Sequence, residues 1–116
     1  MVYQTNPFFD ALVFNEDTGL DDFVLPVNEA VAIVGEEYKE LVAATLDEDW
    51  VEVADAMIDI VFAAISCGYR IGLPMDKLWT EVVKSNMTKV GAPVVNGKLQ
   101  KGENFVRPDF AQYVEL

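Results

Sequence analysis

Glu36-Glu-Tyr-Lys-Glu40, a short acidic linker, and Glu52-Val-Ala-Asp-Ala-Met-Ile-Asp59 form the stretch whose reading decides the fold. At roughly 100° per residue on a helix, Glu52, Asp55 and Asp59 fall within about 60° of one another, beside only Ala56, Ala63 and Ser66. The other directions from Val51 to Cys67 are apolar: Val51, Val53, Met57, Ile58, Ile60, Val61, Phe62 and Ile65. A helix apolar nearly all round is expected to be buried. This one carries a narrow stripe of carboxylates, and buried anions are too costly to leave unpaired. The chain offers few cations, so a bound divalent metal is the simplest answer.

Working back from that stretch, Val27, Val31, Val34, Tyr38, Leu41 and Thr45 follow alternating steps of four and three, which predicts a core-facing helix ending near Thr45. Asn28 is the expected N-cap, with Glu29 in the first turn. Glu37 lies about 80° to one side of the stripe and Glu40 about 140° on the same side, while Glu36 points away. Leu46-Asp-Glu-Asp49 reads as a tight turn with N-cap chemistry at Asp47 or Asp49. So short a connection folds the two helices into an antiparallel hairpin. Glu37 and Glu40 then come abreast of Asp55 and Asp59, and four carboxylates converge as a hard cation requires. A solvated acidic groove is the competing reading.

Bulk properties remove other classes. At 116 residues the chain is expected to be one domain, with an N-terminal arm over 1–26, a helical core over 27–90 and a C-terminal arm over 91–116. Twenty acidic residues against eight basic ones give a net charge of −12, which argues against nucleic-acid and anionic-membrane partners. The absence of histidine excludes Ser-His-Asp and Cys-His catalysis and most zinc sites. A single cysteine, Cys67, fits a reducing compartment. No signal peptide or membrane-length apolar run is legible, so the expected location is cytoplasmic.

At the N-terminal end, a short helix is expected around Asp10–Phe14, with Phe8, Phe9, Phe14 and Phe23 packing on the body; an aromatic stacked on a planar ligand is the alternative. Beyond the stretch, Gly68, Gly72 and Pro74 are expected to end the second helix and start a third. Its apolar face is Leu78, Trp79, Val82 and Val83, with Asn86 projecting among them and needing a partner. Val95-Asn-Gly-Lys98 is a hairpin signal. Half of the eight basic residues, Lys89, Lys98, Lys101 and Arg107, fall between 89 and 107, which suggests an anion docking there; a solvated basic loop is the alternative.

With both halves in view, the chain resembles the all-α nucleoside triphosphate pyrophosphohydrolases, and among them the MazG-like and phosphoribosyl-ATP-pyrophosphohydrolase-like members. Glu36-Glu37-x-x-Glu40, followed by an acid pair ending at Asp59-Ile-Val-Phe, is similar to their Glu-Glu-x-x-Glu … Glu-x-x-Asp signature. Glu81-Val-Val-Lys-Ser-Asn-Met-Thr-Lys89 and Lys98-Leu-x-Lys101-Gly102 … Pro108-Asp109 resemble two further elements, so the likeness covers roughly 26 to 110. There are departures. Ala56 stands three before Asp59, so either Asp55 serves from four before it, or Glu52 and Asp55 complete the motif and Asp59 is an extra acid; and Val83 replaces a usual histidine.

The resemblance implies an all-α fold, a hairpin plus a third helix that completes a four-helix bundle in a homodimer or homotetramer. It implies Mg²⁺-dependent hydrolysis, with Mn²⁺ as the alternative ion, of a nucleoside triphosphate between its α and β phosphates. Glu37, Glu40, Asp55 and Asp59 are then the metal ligands, and Glu36 or Glu52 the catalytic base. Lys84, Lys89 and Lys101 become phosphate contacts, and Asn86 orients the substrate. A non-catalytic helical module that binds metal or protein through the same groove is the runner-up.

Overall fold

The computed structural model describes residues 6–114; the first five residues of the expected N-terminal arm and the last two of the C-terminal arm lie outside them. The described residues are mostly helical, with one minimal strand pair. The chain divides between Leu73 and Pro74 into two compact units.

The first unit holds α1 (Pro7–Asp17), a single 3-10 turn (Leu20–Asp22), α2 (Val27–Leu46) and α3 (Trp50–Arg70). At its start, α1 is longer than the short helix expected inside Asp10–Phe14, because Asn6-Pro7 is a strong start. The Asn6 side chain accepts hydrogen bonds from the Phe8 and Phe9 amides at 3.0 and 3.2 Å, and Pro7 takes the first helical position. Two buried side chains tie α1 to α3: Ser66 Oγ donates to Asn15 Oδ1 at 2.6 Å, and Asn15 Nδ2 donates to the Ser66 carbonyl at 3.2 Å. Phe14 meets Phe62 edge to face, with centroids 5.0 Å apart. Phe23, expected to pack with them, stands exposed.

The hairpin of α2 and α3 forms as its linker requires. Asp49 is the N-cap of α3, accepting from the Glu52 amide at 3.2 Å, while Asp47 closes the C-terminus of α2. Glu48 supplies the left-handed residue of the turn at φ 53°. Two details at the helix ends differ from expectation. Pro26, not Asn28, precedes α2: its carbonyl accepts from Glu29 and Ala30, so the helix is already under way when Asn28 is reached. Gly68 does not end α3 but is buried inside it; the helix closes in a Schellman motif, with Leu73 N–H on Gly68 O at 2.9 Å and Gly72 at φ 95°.

The larger correction concerns faces. Of the expected α2 stripe, Val27, Val31, Tyr38 and Thr45 are exposed. The side turned inward runs through Ala30, Val34, Glu37, Leu41 and Ala44, with the two alanines buried. On α3 the expectation of a helix buried all round fails likewise: Met57 and Ile58 are 55% and 64% exposed, and Val51 and Val61 are also open. Small residues take much of the inward side. Ala30, Ala44 and Ala56 are buried while Val27, Val31, Tyr38, Met57 and Ile58 lie open, although Ile65 is buried and Val34 and Leu41 are half-buried. The compact apolar cluster of Leu25, Ala30 and Cys67, with Ile71 against it, sits at the end of the hairpin away from the linker.

The second unit holds α4 (Met75–Met87), a hairpin of β1 (Val94–Val95) with β2 (Lys98–Leu99), and a 3-10 turn (Ala111–Tyr113). Asn96 and Gly97 at φ 53° and 76° make the two-residue turn that the Asn-Gly pair signalled. Within α4, Leu78 and Val82 are half-buried, whereas Trp79 and Val83, assigned to the same face, are exposed. The segment after the hairpin is fastened to α4: Ser85 Oγ donates to the Val106 carbonyl at 2.7 Å, and the Val106 amide donates to Thr88 Oγ1 at 2.9 Å. Among the described residues no helix is long and apolar enough to cross a membrane.

Candidate metal centre and basic cluster

Hairpin geometry brings one carboxylate oxygen each from Glu37 and Glu40 of α2 and Asp59 of α3 within 4.8 Å of one another. Glu40 is exposed; Glu37 and Asp59 are half-buried. Glu37 sits on the inward side of α2 between Val34 and Leu41 rather than at the edge of the stripe, which is why it is drawn in. Its Oε2 is wholly occluded and has no hydrogen-bond partner. Burial holds the Glu37 carboxyl above the usual carboxylate range, and the charges of Glu40, Asp59 and Glu36 push the same way.

This donor set suits a hard divalent cation. Two oxygens opposite one another on an octahedral ion at ~2.1 Å stand about 4.2 Å apart, and at Ca²⁺ distances about 4.6–5.2 Å. Three carboxylates inside that span, one with an orphaned oxygen, need little rearrangement to share an ion. The ion pair of Lys84 with Glu81 at 3.6 Å involves none of them.

The remaining expected acids are not gathered with these three. Asp55 and Glu52 lie exposed on α3, one and two turns before Asp59, and Glu36 is exposed on α2 beside Glu37. Of the expected substrate contacts, Lys84 is taken up by Glu81, an i,i+3 neighbour on α4. The other three meet in the second unit. Lys89 Nζ donates to Asn86 Oδ1 at 3.1 Å, so Asn86 finds its partner at the surface rather than among the apolar residues of α4. Lys89 and Lys101 both lie over the ring of Phe105, at 5.7 and 5.1 Å from its centroid. Phe105 was not visible as the ring these lysines share. The chain has seven phenylalanines, and nothing local marks the one on which two lysines meet.

The Phosphoribosyl-ATP pyrophosphohydrolase family model matches residues 23–86, more than half of the chain, a span that contains Glu37, Glu40 and Asp59 and ends at Asn86. No curated protein and no solved structure matches.

Proposed function

Because the chain belongs to the phosphoribosyl-ATP pyrophosphohydrolase family, a group of pyrophosphohydrolase-type hydrolases, we propose that it cleaves a nucleoside triphosphate or a related nucleotide between the α and β phosphates. The products are the monophosphate and pyrophosphate. The observation that supports this reading is the convergence of Glu37, Glu40 and Asp59, with an occluded unpartnered oxygen, inside the matched residues. Mg²⁺ is the proposed ion and Mn²⁺ its alternative. Glu37, Glu40 and Asp59 hold it, and Asp55 is proposed as a fourth ligand on the same side of α3. When bound, the cation supplies charge neutralisation and lowers the pKa of water at the site.

The chain's own groups do the rest. Glu37, drawn inward, fixes where the ligand set forms, because a half-buried side chain has fewer rotamers than an exposed one. Glu36 or Glu52, both exposed carboxylates, takes the proton of the attacking water. Phosphoryl-type chemistry asks mainly for positioning and charge neutralisation, so a chain without histidine is equipped for it. The open apolar side chains of both hairpin helices, Val31 and Tyr38 on α2 and Met57 and Ile58 on α3, support a homodimer or homotetramer that completes a four-helix bundle. A cytoplasmic location goes with a substrate of that kind and with a lone unpaired thiol.

Pyrophosphate release from mixed ribo- and deoxyribonucleoside triphosphates, with Mg²⁺ and with EDTA, tests the reading. Mg²⁺-dependent release that Asp59→Asn abolishes is expected. No release from any of the eight common substrates would leave the acids as a groove without this reaction.

A further inference from the structure

Near the C-terminal ends of α1 and α3, the first unit opens a concavity of about 360 Å³ lined by Leu12, Asn15, Glu16, Asp21, Tyr69 and Arg70. None of the three clustered acids belongs to this lining. Its cation needs an explanation. Arg70 stands in the last turn of α3, where the helix dipole favours a positive charge. That interaction asks for no burial, yet Arg70 is half-buried, and its Nε is wholly occluded without a hydrogen-bond partner. An orphaned donor on a charged group costs stability, so folding alone does not account for the placement. The guanidinium carries four further N–H donors in a fixed fork.

The walls around Arg70 are held by specific bonds. Asn15 is buried and tied to Ser66 of α3 in both directions, at 2.6 and 3.2 Å. Thr18 Oγ1 closes α1 on the Phe14 carbonyl at 2.6 Å, and Gly19 at φ 74° starts the 3-10 turn that carries Asp21. Leu12 and Tyr69 add apolar and aromatic surface. Glu16 and Asp21, both exposed, put two carboxylates on the same lining as the guanidinium. Those acids would repel a phosphate. They suit an uncharged planar group with acceptors for Arg70 and N–H donors for the carboxylates.

Arg70 follows Asp59 by about three helical turns, which places the two within about 20° of each other on α3 and about 16 Å apart along its axis. Helical side chains lean toward the N-terminus, so Arg70 reaches back toward the clustered acids. The distance that remains suits a nucleoside, with its base at Arg70 and its α phosphate at the acids. We propose that this concavity is the base subsite for the reaction proposed above, on which the assignment rests, and that it takes guanine. Arg70 donates to O6 and N7, while Glu16 and Asp21 accept from N1–H and the 2-amino group. Adenine presents an amino group where guanine has O6, so it meets the guanidinium donors with another donor, and pyrimidines have no N7.

The test follows backbone amide resonances of the full chain while 2′-deoxyguanosine, 2′-deoxyinosine or 2′-deoxyadenosine is added in EDTA. Saturable shifts confined to residues 12–21 and 66–71 are expected with deoxyguanosine. Affinities about tenfold lower are expected for deoxyinosine, which lacks the 2-amino group, and for deoxyadenosine. Arg70→Lys keeps the charge but loses the fork, so it weakens deoxyguanosine binding about tenfold and leaves deoxyadenosine binding unchanged. Glu16→Gln combined with Asp21→Asn removes the preference over deoxyinosine. Equal binding of the three nucleosides by the wild type, or no saturable shift, overturns the subsite without recourse to any variant. Undiminished deoxyguanosine binding by a folded Arg70→Lys protein overturns the role of Arg70, and a preference that survives loss of both acids overturns theirs. Because the nucleosides carry no phosphate and EDTA removes the metal, the two readings fail separately. Guanine-selective shifts in a protein that releases no pyrophosphate sink the reaction alone. Equal kcat/KM for all triphosphates without such shifts sinks the subsite alone.

Discussion

Replacing Glu37 by glutamine removes the charge that the hairpin crowds most. At the widest separation of the three oxygens, 4.8 Å, each like-charge pair costs about 0.9 kcal/mol in a water-like medium and about 3.5 kcal/mol at an effective dielectric of ~20. Physiological salt, with a Debye length of about 8 Å, roughly halves these figures, and the exposure of Glu40 keeps that pair near the lower end. With two neighbours, Glu37→Gln is expected to stabilise the metal-free protein by about 1–3 kcal/mol at neutral pH. For 116 residues, an unfolding entropy of about 2.1 cal/mol/K per residue converts this to a rise in Tm of about 4–12 °C.

The pH dependence has a definite sign. The Glu37 carboxyl in the folded protein holds its proton to higher pH than in the unfolded chain, where glutamate titrates near 4.3. The folded state therefore binds more protons in the window above that value. Stability from this group is greatest at or below the unfolded pKa and declines as pH rises through the window. Melting curves in EDTA should thus show wild type and Glu37→Gln diverging between pH 4.5 and 7.5, with the variant the more stable at the upper end. Mg²⁺ should raise the Tm of the wild type by mass action and do little for the variant. A variant less stable than wild type in EDTA at pH 7.5 would mean that the carboxylate is a structural partner, and the metal-centre argument would fail.

Asp59→Asn, acting from the other helix, should abolish Mg²⁺-dependent pyrophosphate release while leaving the metal-free Tm unchanged or raised; a lowered Tm with activity retained contradicts the ligand role. Asn15→Ala cuts both buried hydrogen bonds between α1 and α3 and should cost about 1–3 kcal/mol in urea or thermal unfolding. A loss below about 0.5 kcal/mol would show the pair to be incidental. Sedimentation at micromolar concentration should give a dimer or tetramer, and a monomer would remove the argument from the open faces of α2 and α3. Cys67, whose thiol burial pushes up, should react with a thiol reagent only on unfolding, which a reagent time course at rising urea reads directly.

How much of this was legible depended on whether the signal was local. The hairpin was readable because periodicity, an acidic linker and the Asp49 cap all lie within a few turns of each other. The Asn-Gly turn was readable for the same reason. The length of α1 was legible too, because Asn6-Pro7 is a local N-cap and first-turn signal. What could not be read was which side of α2 turns inward. Val27, Val31 and Tyr38 outweigh Ala30 and Ala44 in any count of hydrophobicity, and only packing against a second helix reverses the order. The meeting of Lys89 and Lys101 on Phe105 could not be read either, because it depends on the segment after the hairpin returning to α4 through Ser85, Thr88 and Val106.

That reversal links the acid site to the open surface. Alanines at 30, 44 and 56 are buried in the first unit, together with the larger Ile65. Glu37 lies inward between Val34 and Leu41, with one oxygen occluded and unmet. The same choice turns Val31, Tyr38, Met57 and Ile58 outward, where a lone hairpin cannot cover them. An inward-facing carboxylate and an uncovered apolar flank are thus two results of one packing decision. A sequence that instead buried Val31, Tyr38, Met57 and Ile58 within the single chain would gain apolar burial at about 25 cal/mol per Å², but would turn Glu37 off the inward side on which it meets Glu40 and Asp59.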